Sequence, residues 1–213
     1  MIIDCISDLH GHYPKLEGGD LLIIAGDLTA LDTKNQHLAF VSWISQQKYK
    51  KKIWIAGNHD NFLQGTNFIP IKDVGLEYLC DSGTEFEGLK IYGSPWTLKF
   101  PGMNPHCMAF TCDTEEELDE KWKLIPDDID ILITHSPPYG ILDKNIHGEH
   151  CGSISLRNKT LDGNYFKEFR HHIFGHIHEM GSVILDLTHS KFINCSYVNE
   201  RYQPINKPIR IEL

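Results

Sequence analysis

Long apolar runs, basic stretches and closely spaced cysteines are scarce in this chain of 213 residues. No window approaches the roughly 18 consecutive apolar residues of a membrane-spanning helix. The opening residues 1–4 carry no basic segment, so we expect neither a membrane span nor a signal peptide. The six cysteines are scattered, and Cys5 and Cys195 lie in apolar, strand-like runs where a buried free thiol is the usual state. These features favour a reducing, cytoplasmic compartment.

Positive charge is also limited. Lys and Arg total 20 against 29 Asp and Glu, which gives a formal net charge of −9. An acidic chain without a basic stripe is not expected to bind duplex nucleic acid, and an anionic substrate would need a metal or a small basic pocket. The basic run of Lys48, Lys50, Lys51 and Lys52 is interpreted as a solvated helix end. With 41% hydrophobic and 23% charged residues, the composition and length predict one globular domain over residues 1–213.

Histidine is plentiful, with 13 residues, and short apolar runs alternate with helical segments. Helical spacing predicts a helix over residues 34–47, and a capping box predicts a second helix that begins at Thr114. Two later strands, Ser182–Leu187 and Lys191–Asn194, are expected to form an antiparallel pair. This pattern predicts an α/β fold with two sheets flanked by helices. Further buried strands are predicted at Ile2–Ile6, Leu21–Ala25, Ile53–Ala56, Ile129–Thr134 and His172–Phe174.

Five short polar segments each follow one of the predicted strands. They are Ser7–His10, Gly26–Asp27, Gly57–Asp60, Thr134–Ser136 and Gly175–His178. Ligands bind at the carboxyl ends of strands in α/β sheets, so these segments are expected to surround one crevice. In extended backbone, residues two apart face the same side, so Asp8 with His10, and His176 with His178, can each offer two ligands. Carboxylate, amide and imidazole donors without cysteine suit Mn²⁺, Fe or Zn²⁺ and argue against a structural zinc site.

Taken together, the five segments resemble the signature of the calcineurin-like metallophosphoesterases. Three further stretches, Tyr92–Trp96, Thr134–Pro138 and Tyr202–Pro208, are similar to the small metallophosphoesterase-domain-containing group of that superfamily. The resemblance extends from residue 2 to about residue 208. It implies a two-sheet β-sandwich with mixed sheets flanked by helices, and a centre that holds two metal ions.

The resemblance also implies the ligands. One metal would be held by Asp8, His10, Asp27 and His178, and the other by Asp27, Asn58, His135 and His176, with Asp27 as the bridge. The catalytic histidine of the family falls on His59. Asp60 falls where the family has an acidic residue that orients this imidazole.

Charge arithmetic supports a phosphate site. Two divalent ions bring four positive charges, Asp8 and Asp27 cancel two, and a bridging hydroxide cancels one more, which leaves about one positive charge. We therefore expect metal-dependent hydrolysis of small phosphodiesters, cyclic nucleotides among them, by attack of the metal-bridging hydroxide while His59 assists the leaving group. Mn²⁺ is the first expectation for both ions, with Fe, Zn²⁺ and Ni²⁺ as the other candidates.

Three other functions stay open: a phosphomonoesterase or nucleotidase, a nuclease with the same site, and a nucleotide-binding scaffold with vestigial activity. Protein phosphatases are disfavoured because no Asp-Arg-Gly run follows Gly26–Asp27. The irregular stretches 97–113 and 137–153 are expected to wall the crevice. His12 is a candidate phosphate contact. Tyr139 and Trp96 are candidates for holding an aromatic leaving group, although a core or rim position is the first interpretation of Trp96.

Overall fold

A computed structural model describes residues 1–64, 75–100, 102–162, 170–187 and 190–213. The helices are α1 Lys34–Ser45, α2 Asn61–Gln64, α3 Glu115–Trp122 and α4 Ile154–Arg157, with a π-helical turn at Asn158–Asp162 and a 3₁₀ turn at His178–Met180. The strands are β1 Ile2–Ile6, β2 Gly19–Ala25, β3 Tyr49–Ile55, β4 Leu76–Tyr78, β5 Ser82–Phe86, β6 Leu89–Ser94, β7 Thr97–Leu98, β8 Thr111–Cys112, β9 Ile131–Thr134, β10 His171–Phe174, β11 Val183–Leu187, β12 Ser190–Asn194 and β13 Ile209–Glu212.

Two mixed sheets form the body of the fold. The first has the order β13-β1-β2-β3-β4, in which β1 to β4 run parallel and β13 is antiparallel to β1. The second has the order β11-β12-β10-β9-β6-β5, with four parallel strands inside and antiparallel strands β11 and β5 at the edges. Strands β7 and β8 form a small parallel pair. The predicted antiparallel pairing of the two late strands corresponds to β11 and β12.

The inner faces of the two sheets share one apolar core. Successive side chains of a strand point to opposite faces, so Leu21 and Ile23 of β2 enter this core. Leu22 and Ile24 point the other way and pack with Phe40 of α1. Helix α1 therefore covers the outer face of the first sheet.

The second sheet is built in the same way. Ile131 and Ile133 of β9 contribute to the shared core, whereas Leu132 packs outward with Leu118 and Trp122 of α3. The layers are thus helix, sheet, sheet and helix, which confirms the predicted α/β sandwich. Among the helices of the described ranges, none combines the length and hydrophobicity that a bilayer crossing requires.

Side-chain caps begin both long helices. The Thr33 hydroxyl accepts a hydrogen bond from the Gln36 amide in α1, and Thr114 accepts one from the Glu117 amide in α3. Helix α1 ends at Ser45, two residues before the predicted end.

The interpretation of the lysine run as a helix end is wrong for three of its four members. Residues 50–52 lie within β3, where Leu21 of β2 is the register partner of Lys51. Strand pairing provides acidic neighbours for two of these lysines, because Lys50 pairs with Asp20 at 2.8 Å and Lys51 pairs with Glu77.

Candidate metal centre

Left-handed turns carry the polar residues that follow the strands. The φ angles are 51° at Asp8, 40° at His10, 54° at Asp27 and 69° at His176. Such backbone costs a non-glycine residue roughly 1 kcal/mol or more, and cross-strand amides help to hold it, since the Asp8 amide donates to Gly26 O at 3.0 Å. The expectation that extended backbone places residues two apart on one face is wrong here, because the strands end before these residues.

Two glycines let the sheets approach each other at the site. Gly26 has a φ of 98°, and a Cβ there would lie 2.6 Å from the Nδ1 atom of His135. A Cβ at Gly175 would overlap the carboxylate of Asp8. Larger residues at either position would therefore displace a polar side chain of the centre.

Asp8, His10 and His178 form one group of donors. The Nε2 atom of His178 lies 3.3 Å from Asp8 Oδ1 and 3.3 Å from His10 Nε2. Its Nδ1 lies 3.2 Å from Asn199 O, and because a carbonyl only accepts, Nδ1 carries the ring hydrogen of the neutral imidazole. In neutral His178 the lone pair of Nε2 then faces the lone pairs of Asp8 Oδ1 and His10 Nε2. Burial disfavours the imidazolium, but the hydrogen bond and charge of Asp8 outweigh burial and raise the pKa of His178.

Asn58 and His135 form the other side of the centre with Asp27. His135 Nδ1 lies 2.9 Å from Ala25 O, which places the ring hydrogen there. His135 Nε2 lies 3.0 Å from Asn58 Oδ1 and 3.4 Å from Asp27 Oδ2. The amide nitrogen of Asn58 donates to Cys107 O at 3.1 Å, so the Asn58 oxygen is the atom that faces the histidine. Burial opposes protonation of His135, yet Asp27 raises its pKa to about 9.

His176 lies beside His135, with ring centroids 5.0 Å apart. Its amide donates to Asp8 Oδ2 at 3.0 Å, and its Nε2 lies 3.3 Å from the Thr97 hydroxyl. Burial lowers the pKa of His176 to about 3, so the ring is neutral and available as a ligand. The ring lies beside His135 but is in none of the donor groups found among the described residues, so its role as a ligand stays a prediction.

Asp27 lies between the two groups. Its Oδ2 atom is 3.6 Å from His10 Nε2, 3.4 Å from His135 Nε2 and 3.9 Å from His59 Nε2. Asp27 is 1% exposed, and burial alone would favour the neutral acid. The charges of His135 and His59 nevertheless hold its pKa well below the usual range. A buried carboxylate of this kind requires positive charge beside it.

These donors fit divalent metal ions. Two imidazole nitrogens on one ion, each at about 2.1 Å and separated by 90–110°, lie about 3.0–3.4 Å apart, and the nitrogens of His10 and His178 are 3.3 Å apart. Outer partners orient the ligands as in metal proteins, since Ser196 Oγ donates to Asp8 Oδ2 at 2.7 Å. The nitrogen and oxygen lone pairs of these side chains point toward common positions. A cation at such a position would be stabilised by them.

His59 and Asp60 point in different directions. The His59 amide donates to Asp27 Oδ1 at 2.9 Å, and its Nδ1 lies 3.3 Å from the Cys107 sulfur. The Asp60 carboxylate instead accepts amide hydrogens of Asp27 at 3.0 Å, Leu28 at 3.1 Å and Gly57 at 2.8 Å. The expectation that Asp60 orients the His59 ring is wrong, because its oxygens tie together the backbone that follows β2 and β3.

Two open clefts meet at His59. The smaller, about 230 Å³, reaches Asp27, Asn58, His176 and His178. The larger, about 860 Å³, extends past His12 and Leu31, and both clefts are lined by Asn104, Cys107 and Tyr202. Described residues of the stretch 97–113 line both clefts, as expected. The described residues of 137–153 line neither, and the segment around Tyr202 takes that place.

The aromatic candidates lie elsewhere. Trp96 donates to Asp81 at 2.7 Å and lies 3.8 Å below the Lys121 ammonium, which is a packing position. The Tyr139 ring contacts His150, with centroids 5.1 Å apart. Neither ring lines the two clefts in the described part of the chain. His12 does line the larger cleft, where its Nε2 lies 3.1 Å from Tyr202 O.

Three residues at the centre, Ser196, Cys107 and Tyr202, were not predicted from the sequence as site residues. Ser196 follows β12, so the rule that polar residues follow buried strands could have found it. Cys107 and Tyr202 lie in irregular segments whose path no periodicity predicts. The Tyr202 ring stands edge-on to His10, with centroids 4.7 Å apart.

Several known proteins are similar to this chain in sequence or in fold. The family model described as calcineurin-like phosphoesterase matches residues 1–180. The human "Metallophosphoesterase domain-containing protein 1" is 36% identical over 98% of this chain and 70% of its own length. A UPF0046 protein of Caenorhabditis elegans is 32% identical to this chain, and the match covers 98% of this chain and 59% of that relative. One solved structure, 13% identical, superposes with a TM-score of 0.65 over 99% of this chain and 98% of its own, and so shares the fold.

The described centre contains the residue types of that family at the ends of the strands. The match over residues 1–180 and the identity across nearly the whole chain confirm the resemblance seen in the sequence. The family is typically dependent on two metal ions, and the His and Asp groups found here could hold them. This chain therefore belongs to the calcineurin-like phosphoesterase family, whose chemistry is metal-dependent hydrolysis of phosphoesters.

Proposed function

We propose that this chain hydrolyses small phosphodiesters, cyclic nucleotides among them, at two metal ions that share Asp27. One observation carries the proposal: Asp27 Oδ2 lies 3.6 Å from His10 Nε2 and 3.4 Å from His135 Nε2, between two groups of donors. A carboxylate in this position can act as a ligand together with either group of donors. We take residues 1–213 as one domain in the cytoplasm that carries this site.

Asp27 would be common to both ligand sets. Asp8, His10 and His178 would complete the first, and Asn58, His135 and His176 the second. Two divalent ions, when bound, would supply the Lewis acidity that activates a water and neutralises phosphoryl charge. We propose Mn²⁺ for both positions, and the same donors suit Fe, Zn²⁺ or Ni²⁺.

His59 is proposed as the catalytic side chain. It lies where the two clefts meet, and its Nε2 is 3.9 Å from Asp27 Oδ2, close to the ligands. When water adds to phosphorus, the bond from phosphorus to the leaving oxygen breaks and that oxygen takes up a proton. A hydrogen bond from His59 Nε2 to the leaving oxygen would stabilise the negative charge that develops there and lower the barrier, while the attacking water releases the proton that this oxygen takes up. Asp60 supports this step only through the backbone of the loop that carries His59.

The clefts support a diester with one large arm. The smaller cleft is lined by four of the proposed ligands and suits the phosphoryl group, while the larger cleft begins at His59 and offers space for the leaving alcohol. Asp8 and Asp27 would leave part of the metal charge unneutralised, and no arginine lines either cleft in the described residues. Such a site matches a diester with about one negative charge better than a monoester with about two.

A kinetic comparison tests the proposal. With Mn²⁺ at one pH, we expect a higher kcat/KM for bis(4-nitrophenyl) phosphate than for 4-nitrophenyl phosphate, and for a cyclic nucleotide than for its 5′-mononucleotide. Asp27→Asn, purified in the same way, measures any contaminating activity. A kcat/KM for the monoesters that is about tenfold or more above that for the diesters would contradict the diesterase and indicate a phosphomonoesterase or nucleotidase. Salt-dependent cleavage of DNA would point to a nuclease, and binding without turnover to a scaffold.

A further inference from the structure

The segment that carries Cys107 is bound to the loop that carries His59. Three hydrogen bonds join them: Asn58 Nδ2 to Cys107 O at 3.1 Å, the Ala109 amide to Asn58 O at 3.1 Å, and Asn61 Nδ2 to His106 O at 2.7 Å. Residues on both sides of His59 are therefore attached to residues on both sides of Cys107. The relative position of the two side chains is set by this backbone frame.

Within this frame the thiol meets the imidazole. The Cys107 sulfur lies 3.3 Å from His59 Nδ1, within the range of a hydrogen bond to sulfur. Cys107 is 6% exposed and lies at the junction of the two clefts. A cysteine thiol carries one S–H hydrogen, which it can donate to the unprotonated nitrogen of a neutral imidazole.

We propose that Cys107 is a positioning residue for His59, because its thiol donates to Nδ1 and so holds the imidazole hydrogen on Nε2. Of the two ring nitrogens, Nε2 is the one that lies 3.9 Å from Asp27 Oδ2, beside the ligands. In a neutral imidazole one nitrogen accepts while the other donates, so a donor at Nδ1 leaves Nε2 as the donor toward the cleft. A carboxylate at the position of the thiol would accept from Nδ1 and favour the opposite tautomer.

This inference rests on the proposed role of His59 and goes beyond it. It explains how the ring could be oriented although Asp60 faces the backbone. It also assigns Cys107 two separate tasks. The backbone carbonyl orients the Asn58 amide, and the side chain orients His59. Replacement of the side chain by alanine keeps the first task and removes the second.

The test reads the tautomer directly. Protein labelled with ¹⁵N in histidine and loaded with diamagnetic Zn²⁺ gives separate signals for protonated and unprotonated ring nitrogens, and the His59 signals are those that disappear in His59→Gln. We expect hydrogen on Nε2 in the wild type and in Cys107→Ser, which keeps a donor. Cys107→Ala should show a mixture of both tautomers. Cys112→Ala is the matched control, because Cys112 is also buried in the same segment, and it should keep the wild-type signal.

Turnover adds a second readout. In Cys107→Ala with full metal content, kcat for an alkyl diester should fall by about fivefold, the factor that one neutral hydrogen bond contributes, with KM unchanged. Cys107→Ser should recover most of the loss. Hydrogen on Nδ1 in the wild type, or an unchanged tautomer in Cys107→Ala, would overturn the proposal. If the tautomers behave as expected but the wild type hydrolyses no phosphoester, the positioning role stands and the proposed function fails.

Discussion

His172 in β10 should make the stability of this protein sensitive to mild acid. The residue is fully buried, and its ring packs against Phe174 and Phe192 with centroids 5.0 and 5.6 Å away. The Thr134 hydroxyl donates to Ser136 O, so the 2.8 Å contact between His172 Nε2 and Thr134 Oγ1 is a donation from the ring. Burial lowers the pKa of His172 to about 3. The native protein therefore holds a neutral imidazole that the unfolded chain would protonate.

The sign and size of the effect follow from linkage. Above the unfolded pKa of about 6.5, both states hold the neutral ring and pH has no effect through His172. As pH falls from about 6.5 toward the folded pKa near 3, the unfolded state binds a proton that the folded state does not. Each pH unit in this window removes about 1.4 kcal/mol from the free energy of unfolding. Between pH 7.5 and pH 5 the loss through this residue is about 2 kcal/mol.

Replacement by glutamine isolates this contribution. His172→Gln keeps an amide donor near Thr134 but does not titrate. Urea unfolding with a chelator at pH 7.5 and pH 5 should show that the wild type loses about 2 kcal/mol more than the variant over this interval. His147→Gln, which replaces an exposed histidine, should retain the wild-type dependence. Parallel pH profiles for the wild type and His172→Gln would refute the assignment.

Three further predictions concern the metal centre. Asp27→Asn, which removes the charge shared by both donor groups, should bind well under two metal ions per chain by elemental analysis; two tightly held ions would contradict a bridging role. Ser196→Ala removes the hydrogen bond to Asp8 and should weaken metal affinity roughly 10–100-fold in chelator competition, whereas unchanged affinity would make that contact incidental. His59→Gln should keep both ions but lose roughly 10²–10⁴-fold in turnover, with a smaller loss for a nitrophenolate leaving group; equal losses for good and poor leaving groups would exclude assistance to the leaving oxygen.

The strand ends could be predicted because two simple signals coincide there. Buried strands of this fold are short apolar runs, and β1 was predicted with its observed bounds, Ile2–Ile6. Polar residues follow such runs where the chain leaves the sheet. The parallel strands β1 and β2 bring Asp8 and Asp27 to one edge of the first sheet, and the packing of the second sheet against the first brings His135, after β9, beside them. The turns that carry them could not be predicted, since left-handed backbone at an aspartate depends on tertiary hydrogen bonds.

Asp60 shows what a motif leaves undetermined. A motif specifies the residue type and its position in the chain, but the atoms that a side chain meets depend on the local backbone. His59 and Asp60 are adjacent, yet one ring faces the clefts and the neighbouring carboxylate collects three amide hydrogens from the loops after β2 and β3. A buried carboxylate gains more from those amides than from one imidazole that is already next to a thiol. The partner of His59 therefore comes from a distant irregular segment, at Cys107, which no local pattern could have indicated.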